Sequence, residues 1–415
     1  MSAVDALRTV EEHRAGVLAR VVPLAAQTVP LARAAGRTLA APLRAGVDIP
    51  VFDNSGMDGF AVRYADVASA SEQSPVTLRV VADLPAGTEL DPALAAGEAA
   101  RIMTGSPVPS AADTVVPVEH TAGALVDALA SVTVVQAPAR RGAHVRGRGE
   151  DARTGDELLP AGGRLGPLQL AAAAAAGVAE LTVTRAPRVA VVSTGSELVP
   201  PGEPLRHGQI PESNGELLVG LVADADAEVV LRLTVPDDGD GLVRAVAAAR
   251  ELGADAVVFT GGVSAGVYEP VKNTLGAWME FVRVAMQPGK PQGFGATDDG
   301  ILLFGLPGNP VSAAVSFEVF VRPALLALQG RAVLDRPRIL LPAATGWSTP
   351  AGRRQYLPAV VDRADAARWT VRPATHGGSA SHFAGGLARA EAFAIVPAEV
   401  ERVESGDLVA VMLMS

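Results

Sequence analysis

Apolar and polar positions change their period several times along this chain, and each change marks a different kind of element. The first 45 residues carry a helical spacing. Thr9-Val10-Glu11-Glu12 has the spacing of a capping box, which predicts a helix start and an amphipathic segment ending near Arg20. Pro30 opens a second predicted helical segment over residues 31–39, interrupted at Gly36. From about Asp48 to Ala139 the pattern becomes short β runs, at residues 76–81, 114–118 and 131–135, divided by Pro, Gly and Asp. Residues 140–186 return to a Gly/Arg loop and then an alanine-rich helix over 168–179.

Between about Arg188 and Gln329, apolar runs alternate with helical segments. Strands are predicted at 189–193, 228–233, 256–260, 281–285 and 301–304, and helices at 215–225, 239–251, 269–279 and 311–328. That alternation implies a parallel sheet covered on both faces, with ligands at the carboxyl ends of its strands. Short β runs return at 338–341, 356–361, 368–372, 392–396 and 408–413, as expected for a small β-barrel or sandwich. The predicted fold class is multidomain α/β and β. Its parts are residues 1–47 with 140–186, a β-rich insertion at 48–139, an α/β domain at 187–330 and a β domain at 331–415.

Composition narrows the function. The chain has 415 residues, a formal charge of −10 and no cysteine, so thiolate metal sites, iron–sulfur clusters and cysteine nucleophiles are excluded. The acidic balance argues against a nucleic-acid partner. No run of 18 uncharged apolar residues occurs, so no membrane span is expected. Charges at Asp5, Arg8, Glu11, Glu12 and Arg14 interrupt any signal-peptide core, and a cytoplasmic location is expected. Only two of the 35 basic residues are lysines, Lys272 and Lys290, and both stand beside Gly-rich loops. A site that needs a compact point charge is not served by a planar guanidinium.

Four loops at predicted strand ends concentrate small polar residues, at 193–197, 260–266, 287–291 and 305–312. Any one of them reads equally as a tight turn. Together at one sheet edge they point to a phosphate-bearing ligand, with Lys290 adding charge and the helix after Asn309 its N-terminal amides. Glu197, Asp237, Asp238 and Glu269 end or follow these strands and are oxygen ligands of the kind Mg²⁺ takes. Asp237 and Asp238 also read as caps of the helix at Gly239, and Glu269 as a first-turn acid. Upstream, residues 52–63, 101–109 and 146–151 hold clustered polar residues, in which Asn54 and Asp58 also suit Asx turns. The six histidines lack metal-ligand spacing; His382, in a Gly/Ser loop, is either a ligand contact or surface.

Seven of these strings occur together and in order: PVFDNSGMDGFAVR (50–63), RIMTGSPVP (101–109), RGED (148–151), STGSEL (193–198), GGVSAG (261–266), PGKP (288–291) and GLPGNPVSA (305–313). On them the chain resembles the molybdopterin molybdenumtransferase family, bacterial relatives of the gephyrin C-terminal domain. The resemblance covers essentially the whole chain. It implies reaction of adenylylated molybdopterin with molybdate, release of AMP and a need for Mg²⁺. It also implies an elongated homodimer joined through the N-terminal domain, an α/β domain like molybdopterin adenylyltransferase, and such an adenylyltransferase as a partner. The active site would lie between the α/β domain and parts of the second subunit.

Carried over position by position, Asp58, Asp151, Glu197, Asp237 and Glu269 match the acids expected to act in catalysis. Glu197, Asp237 and Glu269 are the expected metal ligands. Thr194, Gly195, Gly261, Gly262, Ser264, Lys290, Gly308 and Asn309 match the loops that hold nucleotide, pterin phosphate and molybdate. Asn54, Thr104, Lys272, Pro307 and Ser312, within or beside the same motifs, complete the expected substrate contacts. Ser196 and Glu269 stand where many members have Asp, and Gln287 stands where a Lys precedes PGKP, which implies one positive charge fewer near the oxyanion. Two rival readings are adenylylation of molybdopterin by the α/β domain, and a non-catalytic scaffold for a partner peptide.

Overall fold

The computed structural model describes residues 7–123, 125, 129–237, 239–263, 270–375 and 384–414. The central sheet comprises β1 (Arg188–Thr194), β2 (Glu228–Val235), β3 (Ala256–Thr260), β4 (Met279–Arg283), β5 (Pro291–Ala296) and β6 (Leu302–Leu306), in the order β2-β1-β3-β6-β5-β4. Strands β1 and β3 are continuous apolar runs because both faces are covered. Val189 and Val191 pack on helices α1 (Asn214–Asp224) and α4 (Pro310–Leu328). Ala190 and Val192 face the other way, onto α2 (Gly239–Glu251).

The sheet differs from the prediction in one strand. β5 was absent from the pattern and runs antiparallel to both β6 and β4. Its close packing explains the weak signal: a Cβ on Gly295 would lie 1.8 Å from the Trp278 carbonyl oxygen, so the strand cannot carry the side chains that announce a β run. The helix expected over 269–279 is the short α3 (Pro270–Leu275), since Met279 already pairs with Gly295 as β4.

Helix α4 is long and apolar enough to cross a membrane, yet its hydrophobic positions are spent inside the molecule. Phe317, Val321 and Leu325 face the central sheet, while Val315, Val319 and Phe320 face Tyr356, Phe393 and Ile395 of the C-terminal β domain. A π-helical turn, Phe317–Val321, interrupts it just before Pro323, whose missing N–H and ring displace the regular bonding.

At the N-terminus, Val10–Leu18 is a helix with the expected capping box: Thr9 Oγ1 accepts from Glu12 N (3.1 Å) and Glu12 Oε2 from Thr9 N (2.8 Å). The second predicted helix is not formed. Ala26–Pro30 is a strand paired with Glu180–Thr184, and only one 3₁₀ turn, Leu31–Arg33, follows, because the chain continues extended through Thr38 and Leu39. The alanine-rich helix is Pro167–Ala175. The insertion is a six-stranded sheet. In the C-terminal domain, Arg354–Asp362, Ala392–Val396, Leu408–Leu413 and Arg338–Pro342 pair in sequence, and Thr370–Pro373 closes back through Ala343 and Val371 into a small barrel. Met286–Gln287, just before the PGKP loop, adds to this barrel alongside Arg354–Gln355. That pairing welds the C-terminal domain to the carboxyl edge of the central sheet.

Candidate active site

All four Gly-rich loops line one cleft of about 610 Å³ at the carboxyl edge of the central sheet. Three of them follow β1, β3 and β6. The fourth precedes β5, and it reaches the same edge because β5 runs in reverse, so that its first residues lie beside the ends of its neighbours. Thr194, Glu197, Asp237, Gly261, Gly262, Lys290, Pro307, Gly308, Asn309 and Ser312 line the cleft as expected, and Gly195 lies between two of its lining residues. Gly261 is required as glycine: its φ is +95° and a Cβ would sit 2.5 Å from the Thr194 carbonyl oxygen. Asn309 stands at the N-cap position of α4 and lines the cleft with Ser312, so the N-terminus of that helix opens on it.

Glu197 and Asp237 come together because their loops are tied. Ser196 N donates to Asp237 Oδ2 (3.3 Å), and Asp237 N donates to Ser196 Oγ (3.2 Å). Serine at 196 thus brings the β1 and β2 ends together without adding a third charge. Glu269, Ser264 and Asp238 lie outside the described residues, as do His382 and its loop. Among the described residues no group of three or more His, Asp or Glu is preassembled for a metal. Two exposed carboxylates beside amide-rich loops nevertheless fit Mg²⁺, which keeps most of its waters and takes one or two carboxylates with substrate phosphate oxygens.

The opposite wall is cationic, and half of it was missed by the motifs. Lys290 is half-buried there, and Arg353 enters from the C-terminal barrel. Arg353 Nη1 donates to Gln287 Oε1 at 2.7 Å. Gln287 brings no charge of its own, and a cation from another domain, held by that glutamine, lines the cleft beside it. Also missed were Asn214 in the cleft wall and Glu212 behind it. Glu212 is 3 % exposed and accepts from Ser193 Oγ (2.9 Å) and Gly215 N (2.7 Å), with Arg232 at 3.2 Å. Lys272 is not part of this wall; its side chain is exposed on the single turn of α3.

Asn54, Asp58 and Thr104, on the insertion, and Asp151, in the 140–186 segment bonded to it, form a second cluster, and none of them lines the cleft. Three motifs meet there. Ser55 N donates to Ser106 O (3.0 Å), Gly149 N to Pro50 O (2.9 Å) and Asp151 N to Ile49 O (2.9 Å). Asp58 Oδ1 accepts from the hydroxyl and the amide of Thr104, both at 2.7 Å, and those bonds hold its carboxyl below the usual carboxylate range. Asp48 braces the loop carrying Asp151, accepting from Thr154 N and Oγ1 (both 2.8 Å) and Arg148 Nε (2.5 Å). Its own carboxyl is held down to about 2 by Thr154 first and Arg148 second. Val51 and Phe52, beside these motifs, are exposed.

An α/β sheet with amide-rich loops, an acidic pair and a cationic pair in one cleft at its carboxyl edge has the layout of a site for a phosphorylated ligand. Comparison with known proteins makes this specific. Residues 8–177 match the MoeA N-terminal region (domain I and II), 190–327 a probable molybdopterin binding domain, and 341–414 the MoeA C-terminal region (domain IV). Molybdopterin molybdenumtransferase 2 of Mycobacterium tuberculosis is 42 % identical over 408 residues, covering 96 % of this chain and 98 % of that protein. The molybdopterin molybdenumtransferase of Nostoc sp. is 40 % identical over 315 residues, 74 % of this chain and 70 % of its own. A crystal structure of the molybdopterin biosynthesis protein moeA from Pyrococcus horikoshii superposes with a TM-score of 0.83 at 26 % identity, covering 98 % of this chain and all of that one. The chain belongs to the MoeA family of molybdopterin molybdenumtransferases.

Proposed function

We propose that this chain inserts molybdenum from molybdate into adenylylated molybdopterin and releases AMP, the last step of molybdenum cofactor synthesis. One observation carries the reading: a single cleft sets the carboxylates Glu197 and Asp237 against the cations Lys290 and Arg353, with the loops of Gly261 and Gly308 between them. In a chain of net charge −10, an anionic ligand is held by local amides and cations. Lys290 and Arg353 receive the oxyanion, while the amides after β3 and at the start of α4 receive phosphate. Glu197 and Asp237 are the residues that would hold Mg²⁺, which when bound neutralises charge building on the phosphates. A water adds to phosphorus, the bridging P–O bond breaks, and AMP leaves as molybdopterin phosphate is freed. A carboxylate at the cleft takes the proton of that water.

Asp58 and Asp151 enter this scheme through a homodimer. The insertion of one copy faces the cleft of the other, with Val51 and Phe52 at the contact. Such a dimer is tested by mixing two inactive variants. Asp58→Ala and Asp237→Ala should each abolish molybdate-dependent AMP release while leaving the fold intact. Mixed dimers join a sound cleft to a sound insertion, so an equal mixture should regain about a quarter of wild-type activity. A mixture that stays inactive overturns the shared site. Formation of adenylylated molybdopterin from molybdopterin and Mg·ATP would overturn the reaction itself.

A further inference from the structure

Two buried carboxamides brace the cleft, Asn214 in its wall and Gln292 behind it, and the chemistry above uses neither. Asn214, the first residue of α1, is 9 % exposed. Its Nδ2 donates to Thr260 Oγ1 at 2.8 Å and to the Gly308 carbonyl at 2.7 Å. One amide group therefore ties the end of β3 to the loop after β6. Its Oδ1 is buried and accepts from nothing among the described residues. Gln292, the second residue of β5, is 1 % exposed. Its Nε2 donates to the Gly289 carbonyl and to Ser316 Oγ, each at 2.7 Å. It ties the Lys290 loop to α4.

The two clamps share no partner. Each spends both amide hydrogens on one junction between a ligand loop and the scaffold. All four amide bonds go to ligand loops or their immediate supports, and none joins one core element to another. The arrangement serves loop position instead. Loops fixed before a ligand arrives lose no freedom on binding, so affinity follows how well each loop is held.

We infer that Asn214 and Gln292 are positioning residues that preset the two halves of the cleft independently. Asn214 sets the phosphate half, made by the Thr260–Gly261 and Gly308 loops. Gln292 sets the oxyanion half, made by Gly289 and Lys290. The assignment of ligands to halves rests on the function proposed above.

The test is calorimetric titration of the full-length protein with AMP in the presence of Mg²⁺, and separately with molybdate, alongside the melting temperature. Asn214→Ala should weaken AMP about tenfold, the worth of roughly one hydrogen bond, and change molybdate less than about twofold. Gln292→Met, close in volume but without donors, should do the reverse. Thr260→Val removes one of the two Asn214 bonds from its other end, with the Thr260 hydroxyl's bond to the Pro307 carbonyl (3.2 Å) in the same half, and opens no cavity, so it should repeat the AMP-selective loss should Asn214→Ala not fold. Variants that lose both ligands in parallel with melting temperature, or lose neither, overturn the inference and leave the functional reading standing. Wild-type protein that binds neither probe overturns both.

Discussion

The N-terminal helix carries a built-in acid sensitivity at His13. The side chain is 4 % exposed and packs edge-on against Phe320 in the π turn of α4, with ring centres 4.7 Å apart and planes at 83°. Burial is the main reason its pKa falls to about 4; Arg8 pushes the same way and Glu280 opposes. In the unfolded chain the imidazole titrates near its ordinary value of about 6.5. Above that value it is neutral in both states and contributes no pH dependence. As pH falls below it, the unfolded chain takes up a proton that the folded protein refuses, and stability is lost until the folded group titrates too. Integrating that difference gives a loss of about 2 kcal/mol by about pH 5 and a limit of about 3 kcal/mol well below pH 4. Depressed carboxylates such as Glu280 lose their contribution only below their unfolded pKa, about 4.3, so the interval from about pH 7 to 5 isolates the histidine. The assay is urea unfolding of wild type and His13→Gln at both ends of that interval, with NMR titration of the His13 ring. Wild type should lose about 2 kcal/mol more than the variant, and the ring should titrate near 4. A midpoint near about 6.5, or equal losses in the two proteins, would refute the argument.

Other predictions address the interdomain core, the cleft and the insertion. Glu318→Ala takes the buried carboxylate from Arg336, now bonded to it at 2.7 and 3.1 Å, while Asp224 and the Met414 carbonyl still hold the guanidinium, and should cost about 1.5–3 kcal/mol in denaturant unfolding. Gly261→Ala forces a Cβ against the Thr194 carbonyl at positive φ, so AMP binding should fall at least tenfold even where the protein folds. Thr104→Val removes one of the two donors that hold Asp58 ionised; its titration, followed by carboxyl NMR, should move up toward the ordinary carboxylate range. Gln287→Lys replaces the acceptor that holds Arg353 with a second cation, a repulsion of about 1–4 kcal/mol at such range. Molybdate affinity should therefore fall, and should recover in Gln287→Lys with Arg353→Ala.

What the sequence disclosed depended on whether one stretch of chain carried the whole signal. Strands β1 and β3 are short apolar runs bounded by small polar residues, and the loops they end in were recognisable for the same reason. The capping box at Thr9 is likewise local and formed as written. Strand β5 was invisible because its glycines answer to Phe281 on the neighbouring strand and Trp278 just before it, a demand that leaves no apolar alternation. The segment after Pro30 carried helical spacing but ends extended, with Thr38 bridged to Arg164 and Leu39 to Val183 far along the chain, where the partner decides.

The cleft shows the same division at the level of charge. Lys290 stood out because it lies inside a motif and is one of two lysines. Arg353 is one of 33 arginines, in an ordinary polar turn of another domain, and nothing within ten residues of it marks a ligand site. It becomes part of the cleft only because Met286–Gln287 pairs in parallel with Arg354–Gln355, which places a guanidinium 2.7 Å from the Gln287 carboxamide oxygen. Glutamine at 287 looked like a loss so long as its neighbours along the chain were the only ones considered. With the barrel in place it is the acceptor that a guanidinium requires, and a lysine there would meet the arginine as a like charge. The cation belongs to the pair of domains, so no single segment could have announced it.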